Sequence, residues 1–139
     1  MSGSLFVVAT PIGNLEDFSL RAINTLKEVD IIVAEDTRIT SRLLKKYDIK
    51  KSLTSFHVKN EVRKVDRIIN YLHEGKSVAL VSDAGTPCIS DPGYLLVNKA
   101  RNHNMEVLSI PGPSSATAAL SISGLPSEKF YFEGFLPKK

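Results

Sequence analysis

Tryptophan is missing from this chain of 139 residues, cysteine occurs once and methionine twice. The lone Cys88 excludes an internal disulfide and fits a reducing, cytoplasmic setting. Long apolar runs are missing too, so no membrane-spanning helix is expected. The first residues lack a basic stretch followed by an apolar core, which argues against a secretory leader. His57, His73 and His103 are dispersed, so no metal cluster is expected. No G-x-x-x-x-G-K-[ST] segment occurs, which excludes a P-loop nucleotide hydrolase. G-x-G-x-x-G and G-x-S-x-G are also absent, against a dinucleotide-dependent enzyme and a hydrolase elbow. Neither charge sign dominates: 18 Lys and Arg against 15 Asp and Glu leave a net +3. Such a balance permits a nucleic-acid partner without requiring one.

What is present is the composition of an ordinary folded domain, 42% hydrophobic and 24% charged. Short runs rich in Val, Ile and Leu recur: LFVVAT (5–10), DIIVAE (30–35), SVALVS (77–82) and MEVLSI (105–110). They predict strands buried on both faces, with SLTSF (52–56) as a weaker fifth. Between them, Leu20, Ile23, Leu26 and Val29 mark one helical face; Val62, Val65, Ile68, Ile69 and Leu72 mark another. Segments 40–47 and 94–103 predict two more helices, the second opened by SDPG (90–93) with Asp91 as N-cap. The alternation predicts an α/β fold: a mostly parallel sheet flanked by helices.

In such sheets ligands bind beyond the carboxyl ends of the strands. That rule selects the loops 10–17, 35–40, 55–61, 82–93 and 110–116. The stretch LVSDAGTPCISDPG (80–93) stands out, with two Gly, two Pro, two Asp, two Ser and one Thr in fourteen residues. Gly85 and Ala84 let a ligand approach the backbone, Asp83 offers an acceptor and Ile89 an apolar wall. A capped helix start explains the same residues without a ligand. In IPGPSSA (110–116) the serines Ser114 and Ser115 are equally suited to capping the next helix. Beyond a small-residue helix over 113–123, the aromatic run EKFYFEGFLPKK reads as a strand with no successor.

Five blocks carry a resemblance: VATPIGNLED, AEDTR, VALVSDAGTPCISDPG, IPGPSSATAAL and FYFEGFLPKK, in this order. Together the chain resembles the ribosomal RNA branch of the tetrapyrrole (corrin/porphyrin) methylase family. The resemblance implies the first of two α/β domains, with S-adenosylmethionine in the trough between them. It divides the chain into an N-terminal domain (1–112), a linker helix (113–125) and the first strand of a truncated second domain (126–139). It further implies a cofactor-binding role for Ser82, Asp83, Ala84, Gly85, Cys88, Ile89 and Ser90. Pro11 and Ile12 would border the cofactor from the first loop, and Ser114 and Ser115 from the linker. A GDP-like family segment here reads Gly85-Thr86-Pro87, with Thr in place of Asp, which counts against a porphyrin substrate.

The implied reaction is methyl transfer to the 2′-hydroxyl of a cytidine in small-subunit ribosomal RNA. Its partner would be that RNA or the small ribosomal subunit, and the enzyme a cytoplasmic homodimer that needs no membrane. A weakly nucleophilic hydroxyl needs a base, for which Asp36 or His57 is the choice, with Arg38 for a phosphate or orientation. Glu35, Asn60 and Glu61 share that edge. Structural roles exist for each: Asp36 as a cap, Arg38 as its ion-pair partner, His57 as a solvated strand end. The basic segment 42–51 offers Arg42, Lys45, Lys46, Lys50 and Lys51 to RNA, or simply to solvent. Two other readings stay open: a tetrapyrrole C-methyltransferase with the same cofactor, and a non-catalytic α/β binding module. With half of the trough absent, weak cofactor binding is expected of these residues alone.

Overall fold

A computed structural model describes residues 2–138. Five parallel strands form one sheet: β1 (Ser4–Val8), β2 (Ile31–Ala34), β3 (Leu53–Ser55), β4 (Val78–Val81) and β5 (Glu106–Ile110). Their spatial order is β3-β2-β4-β1-β5. Five helices follow them in the chain: α1 (Leu20–Glu28), α2 (Thr37–Lys46), α3 (Glu61–His73), α4 (Tyr94–Asn102) and α5 (Ser115–Ile122).

Strand side chains alternate between two faces, and the core divides accordingly. Ile32, Ala34, Ala79 and Val81 pack with Ala22, Leu26, Leu43 and Leu44 of α1 and α2. Val33, Val78 and Leu80 pack instead with Val65, Ile68, Leu72, Leu96 and Ala100 of α3 and α4. Both faces of the inner strands are therefore covered, which is why β2 and β4 read as unbroken apolar runs. At the sheet edges β3 and β5 stay partly open, against the burial on both faces expected for 105–110. Helix α1 begins where Ser19 accepts the Ala22 N–H (3.0 Å).

Several expectations shift. Leu20 and Val62 lie on the periodic faces of α1 and α3, yet they are 79% and 73% exposed. Each sits in the first turn of its helix. The start of α4 also moves: the N-cap is Gly93, not Asp91. Cys88 and Ser90 adopt positive φ (72° and 56°), curling residues 88–92 into a turn closed by the Cys88 N–H on the Pro92 carbonyl (3.3 Å). Helical geometry cannot begin inside that turn. The strand expected over 126–139 does not form in its described part, 126–138. A strand needs a ladder partner and none meets it, so Phe130, Tyr131, Phe135 and Leu136 stay exposed. Lys139 lies outside the described residues. No described helix is long and apolar enough to cross a membrane.

Candidate functional site

The loops following β1 and β4 join at the carboxyl edge of the sheet. Thr10 and Gly85 exchange two backbone hydrogen bonds of 3.0 Å, an antiparallel bridge beyond the parallel strands. Thr10 Oγ1 also donates to the Ser82 carbonyl (3.3 Å), and Ser82 Oγ to the carbonyls of Ala84 and Gly85 (3.3 and 3.4 Å). Gly85 is at φ +78°, a conformation that favours glycine. These bonds build a ridge from residues 10–12 and 82–85, with a hollow on either side.

The larger hollow, about 460 Å³, is lined by Ile12, Ala84, Gly85, Thr86, Ile89 and Ser90 on one wall. Asp91 enters it from the turn before α4, and Ser114, Ser115 and Ala116 from the start of α5. Phe132, Gly134 and Phe135 cover part of it. Ser114 is the N-cap residue of α5 but its side chain makes no capping bond, so its hydroxyl is free of that role. Burial pushes the Asp91 carboxyl above its ordinary value, and the nearby Asp83 charge adds to the shift against a hydrogen bond from Ser82. The smaller hollow, about 190 Å³, is lined by Pro11, Leu15, Ile39, Arg42, Ser82 and Asp83.

Of the residues the sequence assigns to a cofactor, Ile12, Ala84, Gly85, Ile89, Ser90, Ser114 and Ser115 share the larger hollow. Pro11, Ser82 and Asp83 face the smaller one. Cys88 lines neither. It joins the apolar cluster beneath the turn, where burial pushes its thiol up to about 11. The cause of its inward position is Gly93 (φ +132°): a Cβ there would stand 2.7 Å from Cys88 Sγ and from Leu80 Cδ2. Asp91, Phe132 and Phe135 were not singled out as ligand contacts, because the first read as a cap and the aromatics as a strand; Thr86, of the Gly85-Thr86-Pro87 segment, lines the larger hollow as well.

The three residues chosen for catalysis line neither hollow. Asp36 is the N-cap of α2: Oδ1 accepts the Arg38 backbone N–H (2.9 Å), and both oxygens take the Arg38 guanidinium (3.0 and 2.7 Å). Those bonds hold the Asp36 carboxyl down to about 2, which makes it a weak proton acceptor. Its backbone N–H donates to Asp83 Oδ1 (2.9 Å), tying the second loop to the ridge. The Arg38 side chain is 85% exposed. On the third loop, the His57 N–H donates to Asn60 Oδ1 (2.9 Å), so Asn60 Nδ2 faces the ring and donates to Nε2 (3.1 Å). That contact occupies one of the two His57 ring nitrogens within the loop itself. Glu35 is different again: burial raises its carboxyl, with the Asp83 charge adding to the shift.

Glu61 links the regions. It is nearly buried in the first turn of α3, and its Oε1 accepts the Gly93 N–H (3.0 Å) at the start of α4.

Known proteins carry the same chain pattern. The profile of the Tetrapyrrole (Corrin/Porphyrin) Methylases matches residues 4–136. The ribosomal RNA small subunit methyltransferase I of Thermotoga maritima is 56% identical over 136 residues, covering 98% of this chain and 61% of its own. The protein of that name from Escherichia coli O157:H7 is 50% identical over 137 residues, covering 99% and 48%. The chain thus spans about half to three fifths of the length of such relatives. Uroporphyrin-III-C-methyltransferase from Thermus thermophilus superposes with a TM-score of 0.67 at 26% identity, over 89% of this chain and 53% of that one. A diphthine synthase reaches 0.71 at 20% identity, over 94% and 52%, and shares the fold. With its five-stranded parallel sheet and a match over nearly its whole length, the chain belongs to the tetrapyrrole (corrin/porphyrin) methylase family.

Proposed function

We propose that this chain supplies the cofactor wall of an S-adenosylmethionine-dependent methyltransferase acting on small-subunit ribosomal RNA, at the 2′-hydroxyl of a cytidine. The observation that carries the reading is the larger hollow at the carboxyl edge of the sheet, built on residues 84–91 and 114–116. Relatives at 56% and 50% identity bear the ribosomal RNA methyltransferase name. The residues fit the ligand. A volume of about 460 Å³ lies within the range of small-molecule sites. Ile12 and Ile89 suit an apolar ring, Gly85 leaves backbone exposed, and the Asp91 carboxylate would offer negative charge to a cationic ligand.

When bound, S-adenosylmethionine supplies a methyl group on a sulfonium that departs as a neutral thioether. The chain's part is alignment, which carries most of the gain in such displacements. The ridge fixes one wall through paired backbone bonds, so its groups need no reordering when the ligand enters. Methyl transfer to a ribose hydroxyl would require that the hydroxyl proton be accepted by a nearby group. Asp91 is the acidic side chain lining the hollow, and its raised affinity for a proton makes it a better acceptor than Asp36. Asp36 holds Arg38 outward, where the guanidinium meets an RNA phosphate.

The test uses the complete gene product, methyl-labelled S-adenosylmethionine and small ribosomal subunits lacking the modification. Label recovered in a 2′-O-methylated cytidine after nuclease digestion is the expected outcome. Label in a porphyrinogen but not in RNA would replace the substrate and keep the cofactor site.

A further inference from the structure

The smaller hollow has the size and chemistry of a base site. The geometry points to a flipped pyrimidine of single-stranded RNA seated between the first loop and α2, with cytosine preferred; this rests on the proposed methyl transfer to RNA. At about 190 Å³ the hollow exceeds the roughly 150 Å³ in which an engineered protein cavity holds a benzene ring. One six-membered ring with its exocyclic groups therefore fits. Pro11, Leu15 and Ile39 form apolar walls for the ring faces, and Leu15 and Ile39 are both partly open to solvent. Unlike a mobile surface cleft, these walls are tied together. The Tyr47 hydroxyl donates to the Leu15 carbonyl, the Glu16 N–H to Asn14 Oδ1 (2.9 Å) and the Asp17 N–H to the Asn14 carbonyl (3.0 Å).

Polar groups in the hollow match one base edge. Asp83 uses Oδ1 for the Asp36 N–H and has Oδ2 left for an external donor. A carboxylate accepts from the exocyclic amine at C4 of cytosine, where uracil presents a carbonyl instead. Arg42 lines the same hollow and enters none of the ion pairs among the described residues, leaving its guanidinium for the ring carbonyl or a phosphate. From Arg42 the exposed face of α2 continues through Lys45 and Lys46, with no acidic residue from Thr37 to Lys46. That face suits the backbone on which the flipped nucleotide hangs. Position supports the assignment as well. Neighbouring residues divide between the two hollows, Pro11 and Asp83 facing this one, Ile12 and Ala84 the cofactor hollow.

The decisive experiment changes base and protein together. Small subunits are assembled from RNA carrying cytidine or uridine at the labelled position, and initial rates are compared in the complete gene product. The unaltered protein favours cytidine by on the order of tenfold or more. Asp83→Asn keeps an oxygen for the Asp36 N–H but turns a donor into the hollow, so the ratio collapses towards or below one. Ile39→Trp, a change on an exposed helical face, fills the hollow; transfer to RNA is lost while calorimetry still detects S-adenosylmethionine binding. It also serves if Asp83→Asn fails to fold. An unchanged ratio in Asp83→Asn, or full transfer by Ile39→Trp, overturns the base site alone. Failure of the unaltered protein to label any RNA overturns the methyl-transfer reading and this site with it.

Discussion

The loops that leave β2 and β4 cross the same edge of the sheet, and each carries acidic residues just beyond its strand. After β2, only Glu35 and Asp36 precede the helix, and Asp36 spends both oxygens on the α2 N-terminus and Arg38. After β4, twelve residues intervene, and Asp91 caps nothing and lines a hollow. The same residue type thus serves helix formation in one loop and lines a hollow without capping in the other. Loop length is what separates them: a carboxylate adjoining the first helical residues satisfies orphan N–H groups, whereas one carried off by a turn cannot.

That difference depends on the turn at 88–93, so the sharpest way to abolish it is to disturb Gly93. In Gly93→Ala the new methyl meets Cys88 Sγ and Leu80 Cδ2 at 2.7 Å, at a φ that L residues avoid. Overpacking and backbone strain together predict a loss of about 3 kcal/mol, read from the urea midpoint. Thr37→Ala, at the first residue of α2 after the short loop, meets no such crowding and should change stability by less than about 0.5 kcal/mol.

A smaller effect is expected at the bond that ties the long loop to α3. Glu61→Ala strands the Gly93 N–H, which the carboxylate now accepts at 3.0 Å. Leaving one buried donor unpaired predicts a loss of about 2 kcal/mol. Glu61→Gln retains an acceptor oxygen and should recover most of it in the same titration. If glutamine proves as damaging as alanine, the bond to Gly93 is not what anchors the loop.

How much of this was legible beforehand follows from the kind of interaction involved. The inner strands were visible because burial on both faces makes each a short unbroken apolar run, as in Ile31–Ala34 and Val78–Val81. The ordering capacity of Asp36 was visible too, since capping is local in sequence. Asp91 misled for the same reason: SDPG has the residues of a helix start, and nothing local reveals that Cys88 and Ser90 adopt positive φ. The end of that turn is held from outside it, by Glu61, which lies 32 positions before Gly93 and accepts its N–H. The two hollows were legible only in part. Their ridge joins loops from β1 and β4, neighbours in space but separated by three helices in the chain. Composition singled out residues 82–93, but their division between two hollows depends on the Thr10 to Gly85 bridge.

The finest test of the contrast sets the two aspartates against each other. Asp36 in the folded protein sits at about 2, below its ordinary 3.8, so its contribution to stability is present above that ordinary value and disappears as pH falls through about 2. Asp91 is shifted upward, chiefly by burial, so its contribution is present below 3.8 and is lost as pH rises through its folded value. At pH 7 the two amides should therefore act in opposite directions. Asp36→Asn lowers the thermal midpoint, because a charged cap and the Arg38 pair are weakened. Asp91→Asn raises it slightly, because an ionised carboxylate no longer has to be held in a partly dehydrated hollow. If Asp91 takes the proton in methyl transfer, the more stable variant is also the less active one. A residue retained against stability is then retained for chemistry. Midpoints that fall equally in both variants would mean that Asp91 is structural after all, and that the two loops differ in length but not in purpose.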